Sequence, residues 1–120
     1  MQIAKYEVRE GDRELAITIS TAGGNVAANV NRWREQVQLQ RLDAATLTDE
    51  LRKINVDGHD AVSVALVGPQ QAQHREAILG TIVEAQGRQW FIKLKGDAEL
   101  AARETEHFEQ FVQSIRFRKE

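Results

Sequence analysis

The segment Ala77-Ile78-Leu79-Gly80-Thr81-Ile82-Val83-Glu84-Ala85, then Gln86-Gly87-Arg88, then Gln89-Trp90-Phe91-Ile92-Lys93-Leu94-Lys95, decides the fold. Two apolar, β-branched runs flank a short polar turn that contains glycine, the pattern of a β-hairpin. Side chains alternate faces along a strand. Trp90, Ile92 and Leu94 therefore point one way, and Phe91, Lys93 and Lys95 the other. A short turn makes such neighbours pair antiparallel.

Downstream, Gly96-Asp97 opens a helix whose buried stripe is Ala101, Phe108, Phe111 (beside Val112) and Ile115. These spacings follow a 3.6-residue period. The charged end, residues 117–120, is expected to fray. Upstream, residues 68–76 are polar, hold the single proline, Pro69, and read as an exposed loop. The run 61–67 is apolar and β-branched throughout, which predicts a central strand buried on both faces. Asp57-Gly58 marks a turn. Before it, Asp43 caps a second, short helix with Leu47, Leu51 and Ile54 as its apolar stripe.

At the start of the chain, residues 3–8 suit a strand, Gly11-Asp12 a turn, and residues 15–20 alternate with Leu15, Ile17 and Ile19 on one side. This is an N-terminal hairpin. Asn25 follows Gly23-Gly24 as a good N-cap. Val26, Val30, Trp33 and Val37 then share one face of a helix spanning residues 26–38. The order is hairpin, helix, short helix, three mostly antiparallel strands, helix. Two amphipathic helices, one on each face, give an α+β fold: a three-layer α/β/α sandwich around an antiparallel sheet. Residues 1–120 form a single domain.

Composition narrows the function. Sixteen basic and 18 acidic residues give a formal net charge of −2, without the positive excess that non-specific nucleic-acid binding needs. The chain has no cysteine, so disulfides, thiolate metal sites and cysteine nucleophiles are excluded. Met1-Gln2-Ile3-Ala4-Lys5-Tyr6 lacks a basic segment followed by an apolar run, so no signal peptide is expected in this chain. No apolar stretch approaches the roughly 20 residues of a membrane-spanning helix.

Candidate chemistry concentrates on the polar face of the first helix: Asn29, Asn31, Arg32, Arg34 and Gln36, with Glu35 the nearby acid. Guanidinium groups bind carboxylates or phosphates bidentately. The helix N-terminus adds free amides and partial positive charge. These five residues are the candidate site for a small anionic ligand or an unidentified protein partner. The bland alternative is a solvated face with an arginine salt-bridged to a neighbouring strand. Trp33 and Trp90 are assigned to the core by their apolar neighbours, with ligand stacking as the alternative. His59, His74 and His107 show no ligand spacing, so no metal is expected. Ser20, Ser63 and Ser114 lie outside any nucleophile-elbow pattern. No catalytic residue and no cofactor is expected. The reading is a non-catalytic binding or accessory module. Its alternative is a small-ligand carrier or enzyme with a site between the sheet and the first helix.

Two segments also resemble a bacterial family abundant in planctomycetes. Ala28-Asn29-Val30-Asn31-Arg32-Trp33-Arg34-Glu35-Gln36 is similar to its NVNRWR signature. Trp90-Phe91-Ile92-Lys93-Leu94-Lys95-Gly96, with Phe108, Phe111, Ser114, Ile115 and Phe117, is similar to its ending. That ending also resembles the close of PsbP-like domains. The resemblance implies their plan of hairpin, helix, three strands and helix. It transfers no activity.

Overall fold

In a computed structural model, which describes residues 2–118, six strands form one sheet. They are β1 (Gln2–Glu10), β2 (Arg13–Ala22), β3 (Arg52–Val56), β4 (His59–Val67), β5 (Glu76–Ala85) and β6 (Arg88–Asp97). Helices α1 (Val26–Gln36) and α2 (Ala44–Glu50) lie between β2 and β3, and α3 (Ala98–Gln113) follows β6. The sheet order is β1-β2-β6-β5-β4-β3, and every neighbouring pair is antiparallel.

The β5–β6 hairpin is the centre of this sheet, with Val83 opposite Trp90 and Leu79 opposite Leu94. The alternation read from the sequence divides two apolar clusters. Leu15, Leu79, Val83, Ile92 and Leu94 pack against Leu100, Ala101, Phe108 and Val112 of α3. Ile78, Ile82, Phe91 and Leu66 pack against Val30, Trp33 and Val37, the α1 side, and against Leu47 of α2. Helices therefore cover opposite faces. Asn25 and Asp97 cap α1 and α3, accepting from the amides of Ala28 at 2.7 Å and Leu100 at 2.9 Å.

Three expectations need correction. The segment after α2 is not helical: Leu51 is already extended, and residues 52–56 form β3. Asp57 and Gly58 both have positive φ, 51° and 81°, as a two-residue primed turn requires. That turn folds β3 back on β4, with Ile54 opposite Ala61. Helical spacing of Leu47, Leu51 and Ile54 hid a strand because the run is short enough to fit either period. Consequently residues 61–67 lie beside the β3 edge strand rather than at the centre. Their apolar run faces α1 through Val62, Val64 and Leu66, while Ala65 on the other side is exposed. Finally, Phe117 is fastened. Its amide donates to Asp57 Oδ2 at 2.8 Å, and its ring meets Trp90 and His59 edge-on at 5.5 and 5.1 Å. Residues 119 and 120 lie outside the described residues.

Trp33 seats tightly on Gly80. The indole is only 7% exposed, and a Cβ added at Gly80 would stand 2.2 Å from its Cζ3. Glycine in mid-strand usually weakens a sheet, but here it lets a helix approach. Gly80→Ala is expected to destabilise the fold by about 2 kcal/mol or more through overpacking. Adding Trp33→Leu should restore part of that loss. Urea unfolding of the three variants measures it, and strict additivity would show that the two sites do not meet.

Candidate functional site

The five candidate residues of α1 divide by direction. Asn29 is buried, and its Nδ2 donates to the Asn25 carbonyl at 3.0 Å. Asn31 is buried too: its Nδ2 donates to Leu42 O at 2.8 Å and its Oδ1 accepts from Leu42 N at 2.9 Å. One side chain thereby completes both backbone groups of Leu42, as a neighbouring strand would. Arg34 turns the same way. Its Nε donates to Gln40 O at 2.6 Å and its Nη1 meets Glu50 Oε2 at 3.2 Å, with only 11% of the side chain exposed. Together Asn31 and Arg34 hold residues 40–42 and the end of α2 against α1.

Arg32 and Gln36 face outward. Arg32 is exposed and has no hydrogen bond or ion pair to another described residue. Gln36 Oε1 accepts from Lys93 Nζ at 3.0 Å, and that ammonium lies 5.9 Å from the Trp33 ring. The two arginines are thus not a joint anion clamp: Arg34 is engaged by a loop carbonyl and the Glu50 carboxylate, whereas Arg32 is free. Partial burial, and secondarily the charge of Lys95 two residues along the same face, lower the pKa of Lys93 below its ordinary 10.5. Trp90 is half-buried, packs against the α3-side cluster and donates from Nε1 to Ala85 O at 3.1 Å.

The other sequence candidates separate. His74 is exposed in the loop before β5, His59 lies against Phe117, and His107 Nδ1 sits 2.8 Å from Glu104 Oε2 on the exposed side of α3. Among the described residues, no three of His, Cys, Asp and Glu converge as metal ligands. Ser114 Oγ donates to Phe111 O at the end of α3. No helix of the described residues is long and apolar enough to cross a membrane.

A different concavity opens on the α3 face. The helix packs mainly over β2, β5 and β6 and leaves the stretch of β4 about Ser63 and Ala65 uncovered. The resulting groove holds about 320 Å³. Ile54, Leu79, Phe108 and Val112 give it apolar walls, and Ser63 and Thr81 add hydroxyls. Its mouth is crossed by Arg52 Nη2 and Glu109 Oε1, 3.8 Å apart and both well exposed. Gln113 Nε2 donates to Asn55 O at 2.9 Å and ties α3 to β3 at one end. Sequence reading missed this groove because β3 was assigned to a helix. The available signal was the small pair Ser63 and Ala65 on one side of an otherwise bulky strand.

Two outcomes check this assignment of roles. Asn31→Ala should destabilise the protein by about 2 kcal/mol, since it strands the backbone groups of Leu42, whereas Arg32→Ala should stay within about 0.5 kcal/mol. Thermal and urea unfolding distinguish them. The second concerns pH. A folded-state Lys93 pKa below 10.5 means the unfolded chain binds that proton more tightly. Lys93 therefore costs stability at neutral pH, and the cost disappears as pH rises through the interval up to 10.5. The stability of wild type relative to Lys93→Met should rise across that interval; a flat difference would refute the assignment.

No family model matches the chain, and no curated protein matches it. Among solved structures it is similar to PA94 of Pseudomonas aeruginosa, a protein of unknown function described as a candidate regulator. The TM-score is 0.60 and the identity 15%, over 98% of this chain and 85% of that one. At that identity the likeness shows a shared fold and nothing more of function.

Proposed function

We propose that the chain is a non-catalytic binding module that receives an apolar group of a partner in the groove between α3 and strands β3 to β5. The observation that carries this reading is the division of the groove. Its walls are aliphatic, aromatic and hydroxyl-bearing, while its ionisable groups, Glu50, Arg52 and Glu109, stand on the exposed rim. Acid–base chemistry favours ionisable groups held together away from water. An apolar slot with a polar rim favours recognition. The seat of Trp33 on Gly80 argues against the alternative of an enzyme or carrier site between the sheet and α1, because the indole fills that space. Arg32 remains as an outward cation for an acidic partner, without the help of Arg34. Kinship with PsbP-like domains, and with the family carrying the NVNRWR signature, stays part of the proposal. The hairpin, helix and helix-closed antiparallel sheet support it, and β3 is an addition to that plan.

Anilinonaphthalene sulfonate, with an apolar body and one anionic group, is a suitable probe. It should bind the folded protein saturably, with enhanced fluorescence. Ala65→Trp, which fills the groove from an exposed position, should abolish that binding while unfolding remains cooperative. Undiminished binding to the filled variant would remove the groove as the site.

A further inference from the structure

Strand β1 is an edge of the sheet, and it carries two of the large apolar side chains that stand exposed, Tyr6 at 56% and Val8 at 45%. Edge strands invite pairing with another chain unless something blocks them. A register shift between Gln2 and Ala4 interrupts the ladder near one end. From Ala4 to Glu10 the pairing with β2 is regular, with Tyr6 opposite Ile17 and Glu10 opposite Arg13.

The two-residue turn after Glu10 makes Glu10 and Arg13 a hydrogen-bonded pair. Counting back in twos, Val8, Tyr6 and Ala4 direct their amides and carbonyls toward β2. Lys5, Glu7 and Arg9 direct theirs outward. The side chains alternate in step: Ala4, Tyr6 and Val8 lie on the α3 side, and Lys5 and Glu7 on the other, 3.2 Å apart.

We propose that β1 pairs antiparallel with β1 of a second copy about a two-fold axis through Tyr6, forming a continuous twelve-strand sheet. In that register each Lys5 faces Glu7 of the other copy. Both residues offer outward backbone groups, so four backbone hydrogen bonds close the ladder. On the α3 side the two Tyr6 rings meet, with Ala4 opposite Val8. Tyr6 already contacts Phe111 edge-on at 6.4 Å, so the pair joins the apolar margins of both α3 helices. Neighbouring registers are worse. An axis through Glu7 sets Glu7 against Glu7 and Lys5 against Arg9. An axis through Val8 also joins opposite charges, Arg9 to Glu7, but it sets the Glu10 carboxylate against the Tyr6 ring and Lys5 against the turn residue Gly11. The charge order of β1 is self-complementary about Tyr6, and that selects a second copy of this chain as the partner.

Sedimentation from micromolar to millimolar concentration should show the mass rising from 13.6 kDa toward twice that value. Lys5→Glu and Glu7→Lys should each weaken the dimer at least about tenfold by opposing like charges, and the double exchange should restore it. The chain has no cysteine, so Tyr6→Cys gives a clean second readout. Cα atoms in a non-hydrogen-bonded pair are about 4.5 Å apart, within disulfide reach. Mild oxidation should therefore link two copies through this residue. A monomer throughout the range, a double exchange no better than the single ones, or cross-linking through Val8→Cys in place of Tyr6→Cys would each overturn the proposal.

Discussion

The structure depends on a sheet whose central hairpin is apolar on both sides. Such a sheet cannot leave either face to water, so it needs two lids. On the α1 side the approach is set by one missing methyl group: Gly80 leaves the space into which Trp33 settles, beside the edge-on ring of Phe91 at 6.0 Å. On the α3 side Leu79, Ile92 and Leu94 meet a helix carrying Leu100, Phe108 and Val112. The bulk of these chains holds the helix over β5, β6 and β2. Everything left uncovered, including the groove beside β4, follows from where those two lids sit.

The same constraint explains why the polar residues of α1 behave so differently from one another. A helix seated deeply on a sheet also buries part of its flanks. Asn29 and Asn31 fall on those flanks and must find partners inside the protein, because a buried amide without one is costly. They find backbone groups, and Arg34 finds the Gln40 carbonyl and the Glu50 carboxylate. The loop between α1 and α2 is therefore fixed by side chains rather than by a ladder of its own. A signature rich in asparagine and arginine reads as a ligand site on paper, yet Asn31 and Arg34 hold a connection in place and Asn29 bonds the start of its own helix.

Much of the fold was legible in the sequence because hydrophobic period and turn chemistry agreed. The hairpins at Gly11-Asp12 and Gln86-Gly87, the cap at Asn25, and the face assignments of Phe91 and Ile92 were each specified by two local signals. Residues 52–56 were not legible: Lys53 and Asn55 interrupt a run too short to reveal its period, and only the Asp57-Gly58 turn commits it to pairing. Phe117 was obscured by charged neighbours, since its anchors, Asp57 and Trp90, are distant in the chain. The groove was lost together with β3, one of its walls. Ser63 and Ala65 hinted at it, but its depth also depends on the lateral offset of α3, which is set by packing between elements.

Strand order has a kinetic meaning as well. Strands β3, β4, β5 and β6 follow one another as a meander, so each pairing there closes only a short loop. The seam between β2 and β6 is another matter, because it joins Leu15 to Gly96 and Ala22 to Gln89. Loop closure across such separations is entropically slow. The meander can nucleate by itself, but the N-terminal hairpin must wait for a diffusive search before it docks. Helix α3, which straddles β2, β5 and β6, then acts as a rivet across that joint. Helix α3, which follows the meander in sequence, is thus the element that secures the hairpin that precedes it.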